Sequence, residues 1–293
     1  MKFNLLLRDG GFDPAQVSVI LHTTNLHPFR ALLPVVVADH PDLFDAYQSV
    51  HSRSATAILL ARPFAASFVP LTGRRMVFAG LFAVRPEGEF PVEDIYADPR
   101  FARLEKEFGA TDTGPAANLA RGGRQVRFAM SRLEALSDLV GRLTIAAPGG
   151  RTYVRIAANL GADIAAISEE SLLRRHPPEW REMILSAIEL RALPRDWAAR
   201  LAEWRGVYLI VDQTDGARYV GSAYGAENLL GRWRAHVAGD RGVTVELARR
   251  DPAAFRFSIL QRLDPDLAPD QVIGVEQNWK RRLDTVSHGL NRA

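Results

Sequence analysis

Residues 206–221 read GVYLIVDQTDGARYVG, and this stretch decides the fold of the C-terminal part of the chain. Its first half alternates, so Tyr208 and Ile210 would lie on one face of a strand and their neighbours on the other. Asp215-Gly216 is typical of hairpin turns, and residues 218–222 supply a partner strand. The sequence therefore predicts a β-hairpin.

Two tyrosines stand at matching places in this hairpin. Ten residues lie between Tyr208 and Tyr219, and antiparallel pairing can set both phenols on the same face. Gly206 and Gly221 would let a backbone, a phosphate or a helix approach where any side chain would obstruct. Two aromatic core residues in an ordinary hairpin are the structural alternative.

A helix follows over residues 226–238, because apolar residues recur there with helical spacing: Leu229, Leu230, Trp233 and Val237. Arg232 and His236 are four residues apart and would lie side by side on a neighbouring stripe. Such a pair alone is most often a solvated surface feature.

A strand at residues 256–260 and a helix opening near Asp270 complete the pattern. Glu276 lies at the margin of the apolar stripe of this helix, where it would be partly desolvated. An ion pair with Lys280, four residues on, is the structural interpretation of Glu276. Asn291 stands at the end of the chain, in Gly289-Leu290-Asn291.

In order and spacing, these residues resemble the GIY-YIG nuclease superfamily over about residues 204–292, with Val207 in place of the motif's isoleucine. The resemblance implies a small antiparallel sheet flanked by helices. It also implies that the catalytic residues of a phosphodiester-cleaving site are Tyr208, Tyr219, Arg232, His236, Glu276 and Asn291.

By the same resemblance, Glu276 holds a single Mg²⁺ or Mn²⁺, a hard cation that keeps several waters beside one carboxylate. Arg232 contacts the scissile phosphate. Either Tyr208 or Tyr219 is the general base, His236 is a candidate proton relay because its pKa is ordinarily near neutrality, and Asn291 orients by hydrogen bonding.

Composition limits the other classes of site. Cysteine is absent from the 293 residues, which excludes disulfides, zinc thiolates and thiol nucleophiles. The pI of 9.4 and the predominance of arginine over lysine suit phosphate binding, although high-GC coding also enriches arginine. Residues 1–10 do not resemble an export signal, and the apolar runs are too short to span a membrane, so we expect a cytoplasmic protein without membrane contact.

The length favours two domains, and we place the boundary near a short predicted helix at residues 194–204. An N-terminal targeting or DNA-recognition domain would cover residues 1–195, and the endonuclease domain would cover residues 196–293. The overall class is α+β, with an N-terminal mixed domain that is rich in strands.

For the N-terminal domain, we predict strands at 17–21, 64–69 and 75–84 and a helix at 41–51. Residues 108–124 would form a loop, 141–147 would pair with 152–157 in a hairpin, and 178–190 would form a helix. The strand pattern resembles PUA-like β-barrels, which include readers of modified bases; generic α+β scaffolds are the commoner source of such a pattern.

Histidines are scattered through the N-terminal part: His22, His27, His40 and His51. They lack the short spacing and the carboxylate neighbours of a metal site, so we expect surface or core-edge roles.

The leading functional hypothesis is a metal-dependent DNA endonuclease, a restriction or DNA-defence enzyme whose N-terminal domain targets the DNA, including modified DNA. A repair or mobile-element endonuclease is the alternative within the class. A catalytically silent nucleic-acid-binding protein is the alternative outside it, and an RNA substrate remains open.

Overall fold

Two units make up the computed structural model of the chain, Met1–Arg175 and His176–Ala293. It describes residues 1–150, 152–174, 176–225, 227–239 and 245–292. Every helix within these ranges is too short or too polar to span a membrane.

The strands of the larger unit form one mixed sheet. They are β1 Val17–Leu21, β2 Phe64–Pro70, β3 Arg75–Pro91, β4 Arg124–Arg132, β5 Leu143–Ala146, β6 Val154–Ile156 and β7 Ile164–Ile167. Their order is β6-β1-β2-β3-β5-β7, and β4 also pairs with β3. β1 and β2 are parallel, while the other pairs are antiparallel.

Helices surround this sheet. They are α1 Phe3–Asp9, α2 His27–Asp39, α3 Pro41–Tyr47, α4 Arg53–Leu60, α5 Val92–Tyr96, α6 Pro99–Phe108, α7 Pro115–Arg121 and α8 Ala157–Leu160. The chain passes through α2, α3 and α4 between β1 and β2, because parallel neighbours need a crossover connection. Phe3 of α1 packs edge-on against Phe68 in the apolar core, with the ring centroids 5.1 Å apart.

The mixed α+β class is confirmed, and so are the strands at 17–21, 64–69 and 75–84. The predicted hairpin between 141–147 and 152–157 is wrong: β5 pairs with β3 and β7, whereas β6 pairs with β1 near the other edge. Alternation identifies a strand but does not choose its partner. The loop predicted at 108–124 also contains α7.

The smaller unit holds an antiparallel sheet in the order β10-β9-β11-β8. Its strands are β8 Ile184–Ser186, β9 Arg205–Asp212, β10 Arg218–Ala223 and β11 Phe255–Leu263, and its helices are α9 Ala187–Arg191, α10 Arg195–Glu203, α11 Asn228–Ala238 and α12 Pro269–Arg282. The predicted hairpin is β9-β10. Ala226, where the sequence places the start of the next helix, lies outside the described residues.

The sheet of the smaller unit is covered on both faces. Trp233 of α11 packs with Tyr208 and Ile210 on one face. Val272 of α12 packs with Val207 on the other. Side chains of α11 and α12 can therefore come close to each other only around an edge of the sheet, and β10 is one such edge.

The division between the units falls at 175/176, whereas the sequence places it at 195/196. Residues 178–190 are not one helix: Ile184–Ser186 forms β8, which pairs with β11 and so joins this segment to the smaller sheet. Ser186 then starts α9 with a capping box, in which its hydroxyl and Glu189 bond reciprocally.

Candidate active site

The two tyrosines lie on the same face of the β9-β10 hairpin, as predicted. Tyr208 is directly opposite Gly221, and Tyr219 is directly opposite Ile210. The phenol rings are 6.4 Å apart between centroids, and both are buried.

Gly221 is required by the ring beside it. A Cβ at this position would lie 2.5 Å from Tyr208 Oη and 2.6 Å from Tyr208 Cζ. At Gly206, a Cβ would lie 2.7 Å from the carbonyl oxygen of Gln261, where the β9-β11 pairing shifts by one residue. The close approach predicted for the glycines is therefore made by a phenol at Gly221 and by a backbone at Gly206.

Helix α11 brings Arg232 and His236 to the tyrosines. Tyr208 Oη and His236 Nε2 are 2.8 Å apart and share a buried hydrogen bond. The guanidinium of Arg232 also bonds to Tyr208, and it is half-buried. Its Nε is buried and has no hydrogen-bond partner among the described residues. This N–H group, on a positively charged side chain, can therefore donate to a further acceptor.

Burial sets the protonation of the tyrosines. Burial and the neighbouring Tyr219 raise the pKa of Tyr208 well above its usual range, and Arg232 only partly offsets this. Burial, with the negative charge of Glu276, raises the pKa of Tyr219. Both phenols are therefore protonated at neutral pH, and a catalytic base made from either needs an acceptor for its proton or a further cation.

Arg232 stays charged in this site. Burial lowers the pKa of its guanidinium, but Tyr208, Tyr219 and Glu276 raise it, and the net pKa is above the ordinary arginine value. Glu276 lies on α12, beyond the opposite face of the sheet, yet its charge acts on these residues of the tyrosine face. These four groups, Tyr208, Tyr219, Arg232 and Glu276, therefore form one electrostatic cluster.

Glu276 is held by two partners. Ser222 Oγ on β10 donates to Glu276 Oε2, and Lys280 Nζ lies 2.6 Å from Glu276 Oε1. The Glu276–Lys280 ion pair was an interpretation of the sequence and is present. Ser222 was missed; the only sequence signal is a polar residue on the edge strand, one position after the motif glycine.

Asn291 bonds to the backbone of the tyrosine strand. Its Oδ1 accepts from Val220 N and its Nδ2 donates to Val220 O, both at 2.8 Å. Leu290 N also donates to Arg218 O. The end of the chain thus pairs with the open edge of β10, and the amide of Asn291 holds the strand segment between Tyr219 and Gly221 in place.

A divalent cation would depend on Glu276. Across the described residues, no group of three or more histidine, aspartate and glutamate side chains could hold a metal. Each carboxylate oxygen of Glu276 retains lone pairs beyond those used by Ser222 and Lys280. An oxygen donor set of this kind fits one Mg²⁺ or Mn²⁺ that keeps water ligands, with Lys280 as a competing cation on Oε1.

Two solved structures are similar to part of the chain. The catalytic domain of the homing endonuclease I-TevI is 27% identical, with 30% of this chain and 98% of that chain covered and a TM-score of 0.26. A mutant of the catalytic domain of the intron endonuclease I-TevI is 25% identical over 30% of this chain and 92% of that chain, with a TM-score of 0.26. No family model matches the sequence, and no curated protein matches it.

Proposed function

We propose that the chain is a GIY-YIG endonuclease that hydrolyses DNA with one divalent metal ion. The observation that carries the proposal is the convergence of Tyr208, Tyr219, Arg232, His236 and Glu276 at the edge strand β10. Hydrolysis of a phosphodiester needs a base for water, neutralisation of the phosphoryl oxygens and help for the leaving oxygen. Among these side chains, a tyrosine could act as the base and Arg232 could neutralise the phosphoryl oxygens. Glu276 could hold the metal ion that assists the leaving oxygen.

Arg232 would bind the scissile phosphate. Its Nε–H is buried without a partner among the described atoms, and leaving such a donor unpaired costs about 1–3 kcal/mol. A phosphate oxygen would satisfy the donor and the charge together. This contact would strengthen as negative charge redistributes over the phosphoryl oxygens in the transition state.

Tyr208 is the better candidate for the base. Its hydroxyl already shares a hydrogen bond with His236 Nε2, so its proton has an acceptor when the hydroxyl takes a proton from water. Arg232, bonded to the same phenol, would stabilise the phenolate. Tyr219 would orient the water or the phosphate beside it.

Glu276 would hold Mg²⁺ or Mn²⁺, with Ser222 fixing the rotamer of the carboxylate. The ion, when bound, supplies Lewis-acid stabilisation of the leaving oxygen. Asn291 would act indirectly, by holding the backbone of β10 that carries Tyr219.

The larger unit, Met1–Arg175, would select the nucleic acid, since it is a separate unit that precedes the cleaving one. A restriction or DNA-defence role with recognition of modified DNA, in the cytoplasm, is the form of the proposal that we favour. The likeness of this part to PUA-like barrels stays a prediction. A repair or mobile-element role is the alternative within the class, and an RNA substrate is tested by the experiment below.

The test is cleavage of modified plasmid, unmodified plasmid and RNA by the full chain in Mg²⁺, compared with Glu276→Gln and with Asp270→Asn as an exposed control on the same helix. We expect wild type and D270N to cut, and E276Q to bind DNA with the same salt dependence without cutting. Equal cutting by wild type and E276Q, or binding without cutting by wild type, would overturn the proposal; the second result would indicate a silent binding protein.

A further inference from the structure

A cavity of about 210 Å³ lies in the larger unit, next to the carboxyl end of β1. Its lining includes His22, Thr24, Tyr47, His51, Asp112 and Tyr153. His22 directly follows β1, and Tyr47 ends α3 within the crossover to the parallel strand β2. The carboxyl ends of parallel strands, with the loops that follow them, are a common place for ligands.

Aromatic rings form much of the lining. The rings of His22 and Tyr47 are 5.0 Å apart between centroids, and those of His51 and Tyr153 are stacked at 6.0 Å with an interplanar angle of 29°. Three of the lining rings are half-buried and so keep accessible surface: Tyr47, His51 and Tyr153. Flat rings with accessible surface suit a flat, unsaturated ligand.

Hydrogen bonds fix the rings of His51 and Tyr153. His51 Nε2 is 2.9 Å from the carbonyl oxygen of Gln48, which can only accept, so the proton is on Nε2. The hydroxyl of Tyr153 lies 3.4 Å from two acceptors, His51 Nδ1 and Ser52 Oγ, and the backbone N–H of Ser52 donates to the same hydroxyl at 3.0 Å. The site is therefore preorganised, which reduces the ordering that binding would require.

A buried polar atom in the lining lacks a partner. His22 is 4% exposed, and its Nε2 has no hydrogen-bond partner in the part of the chain that the structure describes. Thr24 Oγ1, on the same segment, bonds to Asp112 at 3.1 Å. A ligand with hydrogen-bonding groups along one edge could reach the Thr24–Asp112 pair, and it could satisfy His22 Nε2 once the imidazole ring turns toward the cavity.

Charge and size restrict this ligand. Burial holds the pKa of His22 at about 3 and that of His51 at about 4, so both rings are neutral at physiological pH. None of the described lining residues is lysine or arginine, and Asp112 adds a negative charge, so an anionic group is disfavoured. A cavity of ~150 Å³ accepts benzene, so this one suits one ring with substituents or two fused rings.

We propose that this cavity binds one uncharged, planar heteroaromatic ring of nucleobase size, with its faces against the tyrosine and histidine rings and its polar edge on His22, Thr24 and Asp112. Two sources present this chemistry: a free nucleobase or nucleoside, and a base extruded from a nucleic acid strand. The inference does not depend on the proposed cleavage, because it concerns other residues in the other unit; its extruded-base form rests on the proposed selection of nucleic acid by this unit, whereas binding of a free nucleoside does not.

The experiment uses the full chain carrying Glu276→Gln, with EDTA present, so that cleavage cannot affect the result. One arm titrates 2-aminopurine riboside and measures its fluorescence quenching. The other arm titrates a duplex with a single 2-aminopurine in a mismatched pair, which is easier to extrude than a paired base, against the fully paired duplex. Quenching in the first arm would show that the cavity binds a free nucleoside. A mismatch-dependent signal in the second arm would show that it binds a base extruded from a strand.

Variants identify the site. His22→Gln, which alters the polar edge, and Tyr153→Leu, which removes an aromatic face, should each weaken whichever signal is seen at least fivefold when added to E276Q. His40→Gln and Tyr96→Phe, in the same unit but outside the lining, should leave it within twofold, and unchanged circular dichroism would confirm that all four fold. Absence of binding to both probes at millimolar concentration, or equal binding by lining and control variants, would overturn the proposal.

Discussion

Tyr208 Oη lies 2.8 Å from His236 Nε2, and both side chains are buried beside Trp233. The tyrosine comes from a strand and the histidine from the helix that covers that strand. The pair therefore depends on packing between two elements rather than on a local turn. Any loss of register between α11 and β9 would separate the phenol from the atom that can accept its proton.

Replacing Tyr208 with Phe should abolish most cleavage and leave the fold intact. The ring would still pack against Trp233, but the hydroxyl bonds to both His236 and Arg232, so its loss should cost about 2–4 kcal/mol in stability. Loss of a general base typically lowers the rate by about 10²–10⁴-fold. Single-turnover cleavage rates, with Tyr224→Phe as an exposed control, measure the effect. Cleavage by Y208F within threefold of wild type would reject Tyr208 as the base.

Replacing Gly221 with Ala should displace the Tyr208 ring, because the new Cβ would lie 2.5 Å from Tyr208 Oη. We expect a loss of about 1–3 kcal/mol in the free energy of unfolding together with a loss of cleavage. Gly274→Ala is the matched control: no atom lies within 4 Å of its Cβ position, and in a helix the change should stabilise by about 0.5–1 kcal/mol. Urea unfolding of both variants decides the comparison.

Lys280→Gln should make the smaller unit depend on divalent metal. Without metal, the variant leaves the mostly buried carboxylate of Glu276 without its cation, which should destabilise by up to about 3 kcal/mol. The freed Oε1 should bind Mn²⁺ about tenfold more tightly, a gain of about 1.4 kcal/mol. Calorimetric titration with Mn²⁺ and thermal unfolding in EDTA measure the two effects.

Arg281→Gln is the control for charge at the same end of α12, since Arg281 is exposed. It should change neither Mn²⁺ affinity nor stability by more than a small amount. If K280Q binds Mn²⁺ no more tightly than R281Q, Lys280 does not compete for the carboxylate.

Asn291→Ala should loosen the edge strand β10. It removes two hydrogen bonds to the backbone of Val220 and leaves those buried groups unpaired, a cost of about 2–4 kcal/mol. The amide hydrogen of Val220 should exchange faster, and cleavage should fall through misplacement of Tyr219. Asn278→Ala, at an exposed position of α12, should leave the exchange rate unchanged. Unchanged exchange in N291A would show that the pairing does not protect the strand.

Local patterns in the sequence predicted the hairpin, the shared face of Tyr208 and Tyr219, and both covering helices. These features follow from the hydrophobic periods of about two residues in strands and about 3.6 residues in helices, together with the residues that favour turns. Ser222 was not predicted to meet Glu276, because that contact joins two elements, β10 and α12, whose contacting residues lie 54 positions apart in the chain. Such a contact depends on strand order, which periodicity does not encode.

The cavity of the larger unit illustrates the same limit. His22 and His51 were expected to lie at the surface or the core edge, and no spacing connects them with Tyr153. They meet because β6, which follows Tyr153, pairs with β1, which precedes His22. That pairing is the one that the sequence assigned to the wrong partner, so the cavity could not be foreseen.

The larger unit should lose stability as the pH falls below 6.5. In the unfolded chain His22 and His51 take up protons near their ordinary pKa of 6.5, whereas burial holds the folded pKa values at about 3 and about 4. The unfolded state then binds more protons, and each histidine should reduce the free energy of unfolding by about 1.4 kcal/mol per pH unit between 6.5 and its folded pKa. The backbone carbonyl of Gln48, which accepts a hydrogen bond from His51, partly offsets the effect of burial on the pKa of that histidine.

Urea unfolding at pH 7.5 and 5.0 tests this prediction. The positions of the tryptophans allow the two units to be followed separately. All five lie in the smaller unit: Trp180, Trp197, Trp204, Trp233 and Trp279. Hydrogen exchange of β1 peptides therefore follows the larger unit, while tryptophan fluorescence follows only the smaller one.

His51→Gln should reduce the acid sensitivity of β1 exchange and leave the fluorescence transition unchanged. His288→Gln, at an exposed position, should change neither. If H51Q retains the full acid sensitivity, the buried neutral state of His51 does not contribute to the stability of this unit.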